Sequence, residues 1–358
     1  MPKVAFVKIN YEKGVEHAVR RAMRLAEWEK SVRGKRIFLK INAMGNQFVP
    51  GLNTSPLVLE SVVKTIREKM KHARIIIGDT DLATVKQFWH TVKLWGYEKI
   101  ARKYGCELVN LSEEKCVRKR LGGEIFDRIE IPKILTRVDS IITLPVIKTH
   151  GLTKITCCLK NSWGFLPRYR HQYHMVADKA IAEMNKAVRV DFAVVDGSIC
   201  MQGRGPRTGK PKICDVILAG NDLVALDYVA AKFMGLNPET VKHIFHAENL
   251  GIGTTKNVKI VGDRLFVANF EPPKENIVFR VEKMSRKTPL VRKLFFETKL
   301  FDFFSFIVTQ YNTKWWYLTT GRSALRKILS HRYYGRVYRR FLKEAKISTR
   351  PILSDKHF

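Results

Sequence analysis

Apolar residues recur in two rhythms along this chain. Short runs at Val4–Ile9, Ile37–Ile41, Arg74–Ile77, Leu108–Leu111, Ser140–Leu144, Asp191–Val195, Ile213–Ala219 and Val258–Val261 have the length and β-branched content of buried strands. Between them the spacing becomes helical. Val15, Val19, Met23 and Ala26 mark one face of a helix over Val15–Glu29. Leu59, Val62, Val63, Ile66 and Met70 mark another, entered through Ser55 as cap and Pro56 as first residue, where a missing N–H costs nothing. Helices are also predicted at Val224–Met234 and Pro238–Asn249. Strand, polar loop and helix in repeated order predict an α/β fold, an open mostly parallel sheet with helices on both faces, over residues 1–262. Such sheets bind ligands at the C-terminal ends of their strands.

From about Asp263 the texture changes. Glu271-Pro272-Pro273-Lys274 reads as a linker, and ten aromatic residues crowd into 294–317. Leu300, Phe303, Phe304, Ile307, Val308 and Tyr311 share one helical face. Arg322–Arg350 then carries ten basic residues against the single acid Glu344. Residues 263–358 are therefore expected to form a basic, aromatic-rich helical extension. Three roles are open for it: an interfacial anchor on an anionic membrane, an RNA-binding surface with Tyr333, Tyr334, Tyr338 and Phe341 stacking on bases, or packing of Phe303, Ile307 and Tyr311 on the main domain.

Charge adds a partner class. Lys plus Arg number 65 against 33 Asp plus Glu, a net +32, and the excess is spread over both parts of the chain. A field of that size gathers anions: phosphorylated metabolites, nucleic acid or an anionic bilayer. The six cysteines form no Cys-x-x-Cys pair, so no zinc ribbon and no iron–sulfur cluster is expected. Cys157 and Cys158 read as buried free thiols. The N-terminus reads as a strand rather than a signal peptide, and no apolar run approaches 20 residues. The expectation is a cytoplasmic protein, with peripheral membrane association left open.

Candidate chemistry concentrates at Leu144–Pro167. Lys148, Thr149 and His150 are expected in a turn after a strand, with Lys160 and Asn161 before Gly164. A lysine and a histidine at a strand end suit anion binding and proton transfer. Three more loops should open at the same edge: Lys40-Ile41-Asn42, Gly78-Asp79-Thr80-Asp81, and Asp196 to Pro211 with Arg204, Arg207 and Lys210. The last is not a Walker loop, because five residues separate Gly203 from Gly209 and Pro211 replaces the magnesium-binding hydroxyl. His171 with His174 and His243 with His246 are three apart, yet no carboxylate companions are evident and no metal site is assigned.

The succession Lys-x-Asn, Gly-Asp-Thr, Leu-Pro-x-x-Lys-Thr-His, Lys-Asn-x-x-Gly, Asp-Gly, Gly-x-Gly-Pro and Asn221–Asp227 resembles the domain-of-unknown-function 362 family, from about Val4 to Gly262. The resemblance implies one α/β domain and lends no reaction. Many members of that family carry a ferredoxin-like pair of iron–sulfur motifs; this chain lacks them.

Together these features predict an enzyme-like protein that binds a phosphorylated or carboxylated small substrate, with cofactor unidentified. His150, Lys148 and Asp196 are the expected catalytic residues. Lys40, Asn42, Asp79, Lys160, Asn161, Arg204 and Arg207 are the expected substrate-binding ones. The alternative is a non-catalytic nucleic-acid- or ribosome-associated protein.

Overall fold

A computed structural model describes residues 1–82, 85–274 and 311–344, with Ile307 besides. Its centre is a ten-stranded sheet. The path runs β12 (Lys259–Gly262), β1 (Lys3–Lys8), β11 (Lys210–Gly220), β10 (Phe192–Gln202), β7 (Ser140–Leu144), β2 (Arg36–Ile41), β3 (Arg74–Asp79) and β4 (Glu107–Asn110). The half from β10 to β4 is parallel, while β11 runs antiparallel to both its neighbours. A branch, β8 (Val146–His150) with β9 (Lys154–Thr156), continues from β7 and pairs β10 further along.

Side chains alternate across the sheet, as a two-residue period requires. Ile37, Leu39, Ile75, Ile77, Ile142 and Val194 face one core, shared with α1 (Gly14–Leu25) and α3 (Pro56–Lys69). Phe38, Ile76, Ile141, Ala193 and Val195 face the other, shared with α7 (Ala177–Ala187), α8 (Leu223–Met234) and α9 (Lys242–Asn249). The α/β architecture with helices on both faces is the one the hydrophobic rhythm predicts. Helix α3 starts where Ser55 and Pro56 place it, with Ser55 Oγ accepting from Leu57 N. Asp222 caps α8 through Ala225 N, and Gly235 ends it in the left-handed conformation at φ 81°.

Several elements depart from the sequence expectation. The helix expected over Val15–Glu29 breaks at Glu27, whose φ is 53°, into α1 and the short α2 (Trp28–Ser31). The helix expected over Pro238–Asn249 is a 3-10 turn followed by α9. Lys148, Thr149 and His150 lie in a buried strand, β8, not in a turn. Asp196 lies inside β10, which runs six residues further to Gln202, so the expected long loop shrinks to the tip of a β10–β11 hairpin.

The C-terminal segment bears on the domain as well. Helices α10 (Arg322–Ser330) and α11 (Arg332–Glu344) place Leu325, Ile328, Tyr334, Tyr338 and Leu342 in the same core as α1 and α3. Tyr334 Oη donates to Asp215 Oδ1 at 2.6 Å, Tyr338 Oη lies 3.1 Å from Ser55 Oγ, and Trp316 Nε1 donates to Gly209 O at 3.1 Å. The tyrosines proposed to stack on RNA bases are thus covered by the protein's own domain. Of the aromatic face expected over 300–311, most lies outside the described residues; Ile307 is exposed and Tyr311 half-buried.

Candidate functional site

Strands β2, β3 and β7 end side by side, and β8 carries the chain onward from β7, so polar residues from those strand ends and from the middle of β8 converge. Lys40, the penultimate residue of β2, is buried and pairs with Asp79, the last of β3, at 2.6 Å. Lys40 Nζ also donates to Ile41 O at 2.9 Å, and Asp79 accepts from the Ala43 and Thr80 amides at 2.7 Å each. Burial lowers the Lys40 pKa, and only the Asp79 carboxylate works against it. Gly164 is required beside the pair: a Cβ there would lie 2.8 Å from both Lys40 Nζ and Asp79 Oδ1.

A second lysine reaches the same edge from β8. Lys148 Nζ donates to Asn42 Oδ1 at 2.6 Å and to the Leu52 carbonyl, with no side-chain exposure at all. Asn42 Nδ2 donates onward to Asn161 Oδ1 at 3.3 Å; Asn161 Nδ2 donates to Thr143 Oγ1 at 2.8 Å and to Lys40 O at 3.3 Å. Asp196 accepts from Ser55 N at 2.7 Å, Ser198 Oγ at 2.6 Å and Ser198 N at 3.0 Å. Burial raises the Asp196 pKa against those donors. Burial lowers the Lys148 pKa to about 7, with the Asp196 and Asp79 charges opposing and the Arg207 charge assisting.

His150 differs from expectation. Its Nδ1 accepts from Leu152 N at 3.1 Å and Thr153 N at 3.4 Å, which leaves the proton of the neutral ring on Nε2. Burial, followed by the charges of Lys160, His174, His243 and Lys148, pushes its pKa well below the usual 6.5. At neutral pH it is a neutral donor rather than a group that titrates there.

Two cations border this network without hydrogen-bonded partners among the described residues. Lys160 is half-buried, its Nζ 5.9 Å from the Trp163 ring centroid, and burial lowers its pKa to about 8 with the Asp178 charge opposing. Arg207, half-buried in the hairpin tip, has its pKa lowered to about 10 by burial alone. The tip lies against β8, since Thr149 Oγ1 donates to Gly203 O at 3.0 Å. Arg204 goes elsewhere: it is exposed and lines a cavity of about 280 Å³ with Lys210, Glu271, Trp315 and Trp316.

The sequence reading missed Arg170, buried with Nη2 donating to Asp81 O at 2.6 Å, whose charge acts on both Lys40 and Lys160. No motif announces it. It also missed a histidine between two carboxylates. His243 Nδ1 lies 3.4 Å from Asp178 Oδ1 and Nε2 3.9 Å from Asp227 Oδ2, so the companions absent in sequence are supplied by α7 and α8. The side chain of His171 lies outside the described residues, and His246 is only half-buried.

A doubly covered mixed sheet with a lysine-, asparagine- and aspartate-rich strand-end cluster defines the class. Within it, the family described as domain of unknown function (DUF362) matches residues 37–232, more than half of the chain, and the chain belongs to that family. A thylakoid-associated protein of Synechocystis is 27% identical over 233 residues, covering 62% of this chain and 70% of that one. The lactate racemase apoprotein of Thermoanaerobacterium thermosaccharolyticum superposes with a TM-score of 0.41 at 15% identity, covering 70% of this chain and 56% of the other. A Thermotoga maritima protein gives a TM-score of 0.35 at 11% identity, covering 57% and 54%.

Proposed function

We propose that the strand-end cluster binds a small anion, carboxylated or phosphorylated, and transfers a proton to or from it. The observation that carries this is the pair Lys160 and Arg207: two desolvated cations, one acting electrostatically on His150 and the other on Lys148, each without a hydrogen-bonded acceptor among the described residues. A half-buried cation loses hydration, and an anionic ligand restores what burial removed. Lys160 and Arg207 anchor the anion, and His150 donates through Nε2. Lys148, with a pKa of about 7, exchanges the proton. This reverses the roles that sequence alone suggested for Lys148 and His150. Asp196, Asp79, Lys40, Asn42 and Asn161 hold the lysines in place. Calorimetric titration with inorganic phosphate, a sugar phosphate and a short dicarboxylate tests it; absence of saturable heat with all three rejects the reading.

A second reading concerns location. Trp315 and Leu318 are exposed, and α11 turns Arg332, Arg336, Arg339, Arg340 and Lys343 outward while its apolar face is used internally. Contact with an anionic bilayer through these residues is consistent with the name of the Synechocystis relative. Among the described residues no helix is long and apolar enough to cross a membrane. Flotation with anionic vesicles tests the contact: binding should fall when the five cations become glutamine, and unchanged binding rejects it.

A further inference from the structure

Behind the anion cluster, α6 (Cys158–Asn161) begins at two adjacent buried cysteines. Their sulfurs are 3.8 Å apart. Two thiolates at about 2.3 Å from one tetrahedral cation stand about 3.8 Å from each other, so the pair is already set at a metal-binding separation. An oxygen of Asp227, from α8, completes a group in which every donor atom lies within 4.8 Å of the others. Asp227 has no exposure and also accepts from Cys158 N at 2.7 Å and Leu159 N at 3.1 Å, which fixes the carboxylate against the cysteines.

A second observation points the same way. His243 is fully buried, with Nδ1 facing Asp178 Oδ1 at 3.4 Å and Nε2 facing Asp227 Oδ2 at 3.9 Å, neither contact having hydrogen-bond geometry. Buried side-chain polar atoms without partners are uncommon and call for an explanation. Among the described residues seven buried side-chain polar atoms lack a hydrogen bond, and Asp178 Oδ1 and both His243 nitrogens, three of them, belong to this one chain of ion pairs from Asp178 through His243 to Asp227.

We propose that Cys157, Cys158 and Asp227 bind a thiophilic divalent cation of the zinc class, with His243 positioning the Asp227 carboxylate. Binding exchanges the two thiol protons, released to solvent, for two metal–sulfur bonds. Two soft sulfurs and one carboxylate select such a cation over magnesium or calcium, which prefer all-oxygen shells. The ion would tie β9, α6 and α8 together. Because α6 also carries Lys160 and Asn161, it would fix the helix that presents them to the anion site. The inference is independent of the anion reading, since neither group of ligands is shared.

The test is metal analysis of the full chain purified without an affinity tag, followed by cobalt substitution. The expected result is an equimolar cation and, with cobalt, thiolate-to-metal charge-transfer bands in the near ultraviolet. Cys157→Ser with Cys158→Ser should remove both while the circular dichroism of the fold is retained. Asp227→Asn can disturb the start of α6 and is therefore the weaker variant. His243→Gln should weaken cobalt affinity about 10–100-fold with the charge-transfer bands retained. No uptake after incubation with zinc or cobalt, absence of thiolate bands, or binding that survives the double serine variant would overturn the proposal. That last outcome would mark an exposed site such as Cys116.

Discussion

Lys148 Nζ donates to Asn42 Oδ1 at 2.6 Å, joining the middle of β8 to the loop after β2 across 106 residues of sequence. The bond explains how a lysine with no exposure is held at the strand-end edge. It also explains why the cluster depends on the whole sheet rather than on one loop.

Lys148 makes a pH-dependent contribution to stability. Burial places its folded-state pKa at about 7, below the roughly 10.4 of an unfolded lysine. Between those values the unfolded chain binds the extra proton, so stability rises with pH through that window. Lys148→Met should abolish the rise, which has an upper slope of about 1.4 kcal/mol per pH unit. Urea denaturation at a series of pH values checks this; parallel profiles for the two proteins would contradict it.

Asp196 has a structural duty as well as a place in the site. Its carboxylate accepts from Ser55 N, at the entrance to α3, and from both donors of Ser198. Asp196→Ala leaves those buried donors without an acceptor and should cost about 1–3 kcal/mol. Asp196→Asn keeps one acceptor oxygen and should cost less. Chemical denaturation orders the two variants, and equal costs would show that the hydrogen bonds are not what matters.

Gly164 is a steric gate on the Lys40–Asp79 pair. A methyl group there sits 2.8 Å from both charged atoms, inside contact distance of a buried, hydrogen-bonded pair. Gly164→Ala should therefore destabilise the fold by about 1–3 kcal/mol. A melting temperature equal to that of the unaltered protein would show that the pair is looser than its geometry indicates.

The C-terminal helices are expected to be part of the folding unit. Tyr338, Phe341 and Leu342 are buried in the core that contains α1 and α3, each contributing about 1.5–3 kcal/mol. A chain ending at residue 310 should melt well below the full protein and bind a hydrophobic dye. Tyr334→Phe, which removes the bond to Asp215 at 2.6 Å and the longer one to Ser198 O at 3.4 Å, should cost about 0.5–1.5 kcal/mol. An unaltered melting temperature in the truncated chain would make the helices an appendage.

Much of this architecture was legible from residue pattern, and the failures have physical causes. Strands β2, β3 and β7 are short apolar runs, and α3 has both a periodic face and the Ser55-Pro56 entrance. Strand β8 reads Val-Ile-Lys-Thr-His, polar enough to pass for a turn. Its burial comes from β9, β10 and the tip of the hairpin, contacts that local pattern does not record. Asp196 was expected in a loop after a strand over Asp191–Val195, yet antiparallel pairing with β11 carries the strand past it. The sequence left membrane, RNA and self-packing roles open for the C-terminal aromatics. Tyr334 and Tyr338 are covered by the protein itself. Lys40, Asn42 and Asp79 group because the parallel strands β2 and β3 end together, whereas Lys148 and Asp196 join them from within β8 and β10 and Asn161 from the end of α6. Arg204 falls outside because it sits at the outer side of the hairpin tip.

Whether Lys160 and Arg207 receive an anion is read by titration calorimetry of the full chain and of Lys160→Met and Arg207→Met. With inorganic phosphate, a sugar phosphate or a short dicarboxylate, the full protein should give saturable heat. Each variant should lose about tenfold or more in affinity, the worth of a charged hydrogen bond, while keeping its melting temperature. Affinity should also fall as pH rises through about 7, where Lys148 gives up its charge. No saturable heat with any of the three probes, or affinity unchanged in both variants, would contradict the account.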